Sequence, residues 1–165
     1  MSHYCVVVAE GSRARFFTVE PPELPELQSG PDLIERKTMN NPDHQSHGED
    51  LLADVRSGRN RPANGPGHGY DDHRDQYDAE CERRFAREIA QELDTMTRRN
   101  GTRRVVLCAE KRMLGFLRPT LQHAIPKGVD LHEVPKDLAK LSPRKLHERL
   151  ASDGHIPRRR NRQSH

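Results

Sequence analysis

Between Thr38 and Gln76 the sequence stops supplying the apolar side chains from which a core is built. These 39 residues hold five glycines, four histidines and seven carboxylates. A stretch this long without apolar periodicity is uncommon inside a compact domain, and is usually functional or disordered. The core must therefore be assembled from two separated blocks. We read residues 38–76 as a long polar, mobile loop inserted in a single domain spanning 1–151, followed by a basic disordered tail at 152–165. Only 32% of the chain is hydrophobic and it has no Trp, so one core of ordinary size is the most it can fill.

The first block reads as an antiparallel meander. His3 to Ala9 is short, β-branched and almost continuously apolar, the pattern of a central strand. Glu10-Gly11-Ser12 supplies a turn, and Ala14 to Val19 a second strand, so a hairpin is expected. Pro21-Pro22 ends it, because proline cannot donate to a ladder. Leu24 to Lys37 reads as a weaker third strand, interrupted at Gly30-Pro31, with Leu33 and Ile34 as its core contribution.

The second block alternates helix and strand. Tyr77, Cys81, Phe85, Ile89, Leu93 and Met96 recur at i+4 and i+3, one apolar stripe of a helix. Asp75 and Asp78 are its candidate caps, and Asn100-Gly101 its stop. Arg104 to Ala109 reads as a buried strand. Leu114, Leu117, Leu121 and Ile125 mark a short helix that Pro119 should kink or start near Arg118. Val129 to Val134 alternates like a half-exposed strand. Ser142-Pro143 places a serine cap and a proline at the first turn of a last helix, with Leu146 and Leu150 inward. The order β-β-β, loop, α-β-α-β-α predicts an α/β fold: one domain, a mixed five-stranded sheet with flanking helices, antiparallel then βαβ, of ribonuclease H-like topology.

No stretch approaches the ~20 apolar residues of a membrane span, and no basic region precedes the short run Tyr4–Val8 as a signal peptide would require. A soluble, cytoplasmic protein without a membrane partner is expected. Cys5, Cys81 and Cys108 fall in apolar registers and read as buried reduced thiols. His44, His47, His68 and His73 match no standard ligand spacing, so neither a metal nor a cofactor is expected. Charge is uneven: residues 1–97 hold 11 Lys/Arg and 19 Asp/Glu, residues 98–165 hold 17 and 6. A basic half of this kind suits a polyanion, nucleic acid above all.

Candidate contacts follow. Arg13 and Arg15 share one strand face, opposite Ala14 and Phe16, and are either phosphate contacts or a solvated face. Lys111, Arg112 and Arg118 surround a helix start after a strand, where free N–H groups attract anions. Glu10 and Glu110 follow two central strands. They are weak catalytic candidates for Mg²⁺-assisted phosphodiester cleavage, with Asp137 a distant third. The run Arg158–Arg162 would hold any polyanion in a salt-dependent way.

Four segments carry a family resemblance. Ala9-Glu10-Gly11-Ser12-Arg13-Ala14-Arg15-Phe16-Phe17 resembles the opening of the bacterial host attachment family, the "protein required for attachment to host cells". Glu82 to Ala90 resembles its central helix, Arg112-Met113-Leu114-Gly115-Phe116-Leu117-Arg118 its Leu-Gly-x-Leu-Arg segment, and Lys136-Asp137-Leu138 with Leu141-Ser142-Pro143 its C-terminal motif. The resemblance adds Lys136 to the anion candidates. It also implies kinship with the middle domain of eukaryotic-type peptide-chain release factors, where a Gly-Gly-Gln loop before the long helix hydrolyses peptidyl-tRNA. Here the nearest match is Asn64-Gly65-Pro66-Gly67-His68-Gly69-Tyr70, with no such glutamine. Gly65, Gly67, His68 and Gly69 are the loop candidates. The implied function is a non-catalytic RNA- or ribosome-associated module, with rRNA or tRNA as partner. The alternatives are a protein-partner or stress-related module acting through the loop, and an RNA or peptidyl-tRNA hydrolase.

Overall fold

The computed structural model describes residues 3–42 and 67–160, with side chains from Gln76 onward in the second range. Five strands form one sheet: β1 (Tyr4–Ala9), β2 (Arg13–Glu20), β3 (Asp32–Asn40), β4 (Arg104–Ala109) and β5 (Asp130–Val134). Their order is β3-β2-β1-β4-β5. The first three pair antiparallel, while β1, β4 and β5 run parallel, with Ala9 opposite Ala109. This is the α/β domain with a mixed five-stranded sheet that the patterns imply, and it is compatible with a ribonuclease H-like arrangement. Among the described residues three helices flank it: α1 (Gly67–Asn100), α2 (Lys111–Ala124) and α3 (Pro143–Ser152).

Alternation in the strands divides the core in two. Cys5, Val7, Phe16, Val105 and Leu107 face Phe85, Ile89 and Leu93 of α1 and Leu114, Leu117 and Leu121 of α2. Val6, Val8, Phe17, Val106 and Cys108 face Leu146 and Leu150 of α3, together with Leu138 and Ile156. The sheet is thus a central layer buried on both faces, which explains why β1 and β4 read as continuous apolar runs.

Several boundaries differ from expectation. The third strand is Asp32–Asn40, while Leu24–Gln28 forms a turn closed by Leu27 and Gln28 N–H donors to the Leu24 carbonyl. Leu33 is buried but Ile34 is exposed. The strand continues to Asn40 because Thr38, Met39 and Asn40 pair with Arg15, Ala14 and Arg13; backbone partners, and no apolar pattern, decide it. The long polar segment is therefore shorter than 38–76 at both ends. Helix α1 already begins at Gly67, so Asp75 and Asp78 lie inside it and cap nothing. A helix anchored by packing extends at little cost, since each added residue brings one more hydrogen bond. Tyr77 is exposed, and the buried stripe starts at Cys81. At the other end Gly101, with φ of 62°, reverses the chain, and Thr102 N–H reaches the Thr97 carbonyl at 3.0 Å, a Schellman stop.

Pro119 lies inside α2 and does not start it. An interior proline costs about 3 kcal/mol, but burying Met113, Leu114, Leu117 and Leu121 contributes about 1.5–3 kcal/mol each. Helix α3 begins as its sequence requires: Ser142 Oγ accepts from Lys145 N–H at 3.2 Å, with Pro143 in the first turn. The expected disordered tail is docked as far as Arg160. Ile156 enters the core, His147 Nε2 lies 2.8 Å from the Pro157 carbonyl, and Arg160 exchanges two backbone hydrogen bonds with Gly30. One apolar side chain in a basic run suffices, because the sheet leaves a place for it.

Candidate functional site

The three parallel strands end on the same side, where open α/β sheets bind ligands. Glu10 and Glu110 follow the adjacent strand ends of β1 and β4. The Glu10 carboxylate accepts from Ser12 Oγ at 2.9 Å. Glu110 is the N-cap residue of α2 and makes no side-chain capping bond. Asp137 accepts instead from the Ala139 N–H at 3.2 Å. Among the described residues no three His, Cys, Asp or Glu side chains gather as a metal group would require.

Five of the six basic candidates are engaged by other groups of the fold. Arg13 and Arg15 do share a face, as the alternation implies, but that face is covered. Arg15 is only 8% exposed. Its guanidinium donates to the carbonyls of Ala139 at 2.9 Å and Leu141 at 2.6 Å, and to Glu35 at 2.6 and 3.1 Å. It also lies 4.9 Å from the Phe17 ring centre. Arg13 donates to the same Ala139 carbonyl at 2.8 Å. The two arginines therefore hold down the segment between β5 and α3, and the opening and C-terminal motifs are joined through these bonds. The Arg15 hydrogen bond holds the Glu35 carboxyl below its ordinary range, aided by Thr38.

Arg112, at the start of α2, pairs with the buried Glu82 at 2.9 Å, linking the central-helix and Leu-Gly motifs. Arg83 and Arg112 stack on Phe116 at 5.3 and 5.7 Å. Arg118 grips both oxygens of Glu133 at 2.8 and 2.9 Å, which raises its pKa further. Lys136 lies 3.7 Å from Asp153. Lys111 is exposed and has no ion pair among the described residues. Of the loop candidates, Gly67, His68 and Gly69 lie in the first turn of α1, and Gly65 lies outside the described residues, as do His44, His47 and Gln45. Cys5 and Cys108 are buried free thiols whose pKa burial pushes up to about 12. They are therefore protonated, and poor nucleophiles, at neutral pH.

A cleft of about 840 Å³ opens on the other face, between α3, the start of β3 and the docked C-terminal segment. Leu33, Pro143 and Ala151 are among its apolar lining residues, and Arg144, Arg158 and Arg159 line it too. Arg159 pairs with Asp32 at 2.7 Å. Arg144 and Arg158 have no ion pair among the described residues. Residues 143–160 hold six Lys/Arg against two Asp/Glu, and Glu148 is the other carboxylate at the cleft. Charge counting along the chain finds this basic segment. That it forms one wall of a cleft depends on Ile156 docking, and Arg144 carries no local signal of its role.

Taken together, this is a three-layer α/β domain with a basic cleft beside α3. The chain belongs to the family described as "Protein required for attachment to host cells", whose match spans residues 5–150. No curated protein matches the chain. Among the described residues no helix is long and apolar enough to cross a membrane.

Proposed function

We propose that this host attachment family protein is a non-catalytic RNA-binding module associated with ribosomes, a relative of the release-factor middle domain whose Gly-Gly-Gln loop has been lost. The observation that carries this reading is the α3 cleft, which Arg144 and Arg158 line together with apolar residues. A phosphate backbone is held by such arginines, and sugar or base faces rest on apolar surface. The basic half of the chain supports the same reading, as does the kinship with release-factor middle domains that the host attachment resemblance implies. In this reading attachment to host cells is an outcome downstream of RNA contact.

The test is binding of a fluorescent single-stranded RNA, followed by anisotropy across a salt series. Affinity should fall with salt, and Arg144→Ala with Arg158→Ala should flatten the log–log slope by about 1.4, two phosphate contacts on a single strand. The same double variant should no longer pellet with ribosomes at low salt. A double variant with unchanged affinity and slope would remove the cleft from this reading. Absence of RNA binding by the unaltered chain at low salt would end it.

A further inference from the structure

The turn between β2 and β3 presents the two most exposed large apolar side chains among the described residues, Leu27 at 56% and Leu24 at 54%. They stand three residues apart on one hydrogen-bonded turn. The turn is braced rather than loose. Leu24 N–H donates to the Gln28 side chain at 3.3 Å. At its base Pro22 packs so closely on Gly30 that a β-carbon there would lie 2.8 Å from the proline ring. Gly30 in turn is tied to Arg160 by its two backbone bonds. Residues 21–29 contain Glu23 and Glu26 and no Lys or Arg. The result is an acidic, hydrogen-bonded knuckle that carries two exposed leucines.

The cleft beside α3 is its chemical complement: Arg144 and Arg158 line it with Leu33, Pro143 and Ala151, and of its two carboxylates Asp32 is engaged by Arg159, leaving Glu148 against the two arginines. The two features are also neighbours: Asp32 and Leu33, which line the cleft, follow the knuckle directly, and Arg160 continues from the cleft wall to the knuckle's base. We infer that the cleft receives the knuckle of a second copy of this chain. With knuckle and cleft side by side, a single two-fold axis lets each copy insert Leu24 and Leu27 into the other's cleft while Glu23 and Glu26 meet Arg144 and Arg158. Such an exchange is isologous and closes as a dimer, so no fibre is generated. The inference shares the cleft with the RNA reading but not its ligand. The two compete: an acidic knuckle in the cleft excludes a phosphate backbone, so dimer and RNA complex are alternative states.

The experiment is sedimentation equilibrium of the full chain over a concentration series at two salt strengths. The expected result is a dimer that weakens as salt rises. Leu24→Ser with Leu27→Ser should weaken it on the order of a hundredfold, with far-UV circular dichroism unchanged. Arg144→Glu alone should be monomeric, as should Glu23→Lys with Glu26→Lys, and mixing those two variants should restore a heterodimer through their complementary halves. A chain monomeric at every concentration, or a dimer indifferent to all these changes, would overturn the inference. Failure of RNA binding with the dimer intact would strike only the RNA reading. Tighter RNA binding by the leucine variant would support the competition.

Discussion

Arg15 separates two accounts of the opening motif. If it contacts phosphate, its loss lowers affinity and leaves the fold alone. If it clamps the 135–142 segment, its loss unfolds that segment. The geometry favours the clamp, and Arg15→Ala measures it. Two of its hydrogen bonds go from a charged donor to the Ala139 and Leu141 carbonyls, and bonds of that kind contribute about 1.5–3 kcal/mol each. The Glu35 pair is about a third exposed on the carboxylate side, so screening leaves it about 0.5 kcal/mol. Stacking on Phe17 adds about 0.5–1 kcal/mol. Arg13 still serves Ala139 in the variant, which limits the loss, while Leu141 loses its arginine donor. We expect destabilisation of about 4 kcal/mol, or about 10 °C in Tm for a chain of this size. Arg15→Lys should recover less than half, because an ammonium has three N–H groups on one atom, whereas Arg15 makes four bonds from three separate nitrogens. Urea denaturation gives the global figure, and amide hydrogen exchange over residues 135–142 locates it. A loss below about 1 kcal/mol, with exchange in that segment unchanged, would refute the clamp and return Arg15 to ligand binding.

Three other outcomes follow from the same structure. Glu35 is held ionised by Arg15, so its contribution is fully present above the ordinary carboxylate pKa and is lost as pH falls through the lowered value; Glu35→Gln should flatten the acid limb of a stability–pH curve, and an unchanged limb would count against the pair. Cys5 and Cys108, with thiols pushed up to about 12, should resist a thiol reagent at neutral pH in the native protein and react on denaturation, whereas rapid native labelling would contradict their burial. Ile156→Ser should cost about 2 kcal/mol and speed tryptic cleavage at Arg158 to Arg160; cleavage at the unaltered rate would mean that Ile156 does not anchor the segment.

Much of the fold is legible residue by residue. The β-branched runs at Tyr4–Ala9 and Arg104–Ala109 imply strands covered on both sides, and the structure places them at the centre of the sheet. The α1 stripe, expected from Tyr77 to Met96, is buried from Cys81 onward, and the Ser142-Pro143 start of α3 stands where the sequence puts it. The candidate site is less legible. Spacing places Arg13 and Arg15 on a common face, but cannot say that the carbonyls of Ala139 and Leu141, more than 120 residues away, would be waiting there. Arg112 and Arg118 look available in sequence and are engaged by Glu82 and Glu133 in space.

The sequence by itself determined the type and order of the strands and helices and the inward side of the central ones, though not the start of β3, the start of α1 or the exposure of Ile34 and Tyr77. Those properties depend on the alternation and periodicity of neighbouring side chains, and on local caps such as Ser142 and Gly101. Only the tertiary structure decided what the charged side chains do. A long arginine reaches any oxygen the fold brings near it, and that oxygen can lie anywhere in the chain. The same holds for the C-terminal segment: its basic composition reads as solvated tail, and the space beside Leu146 and Leu150 for Ile156 turns it into the wall of a cleft.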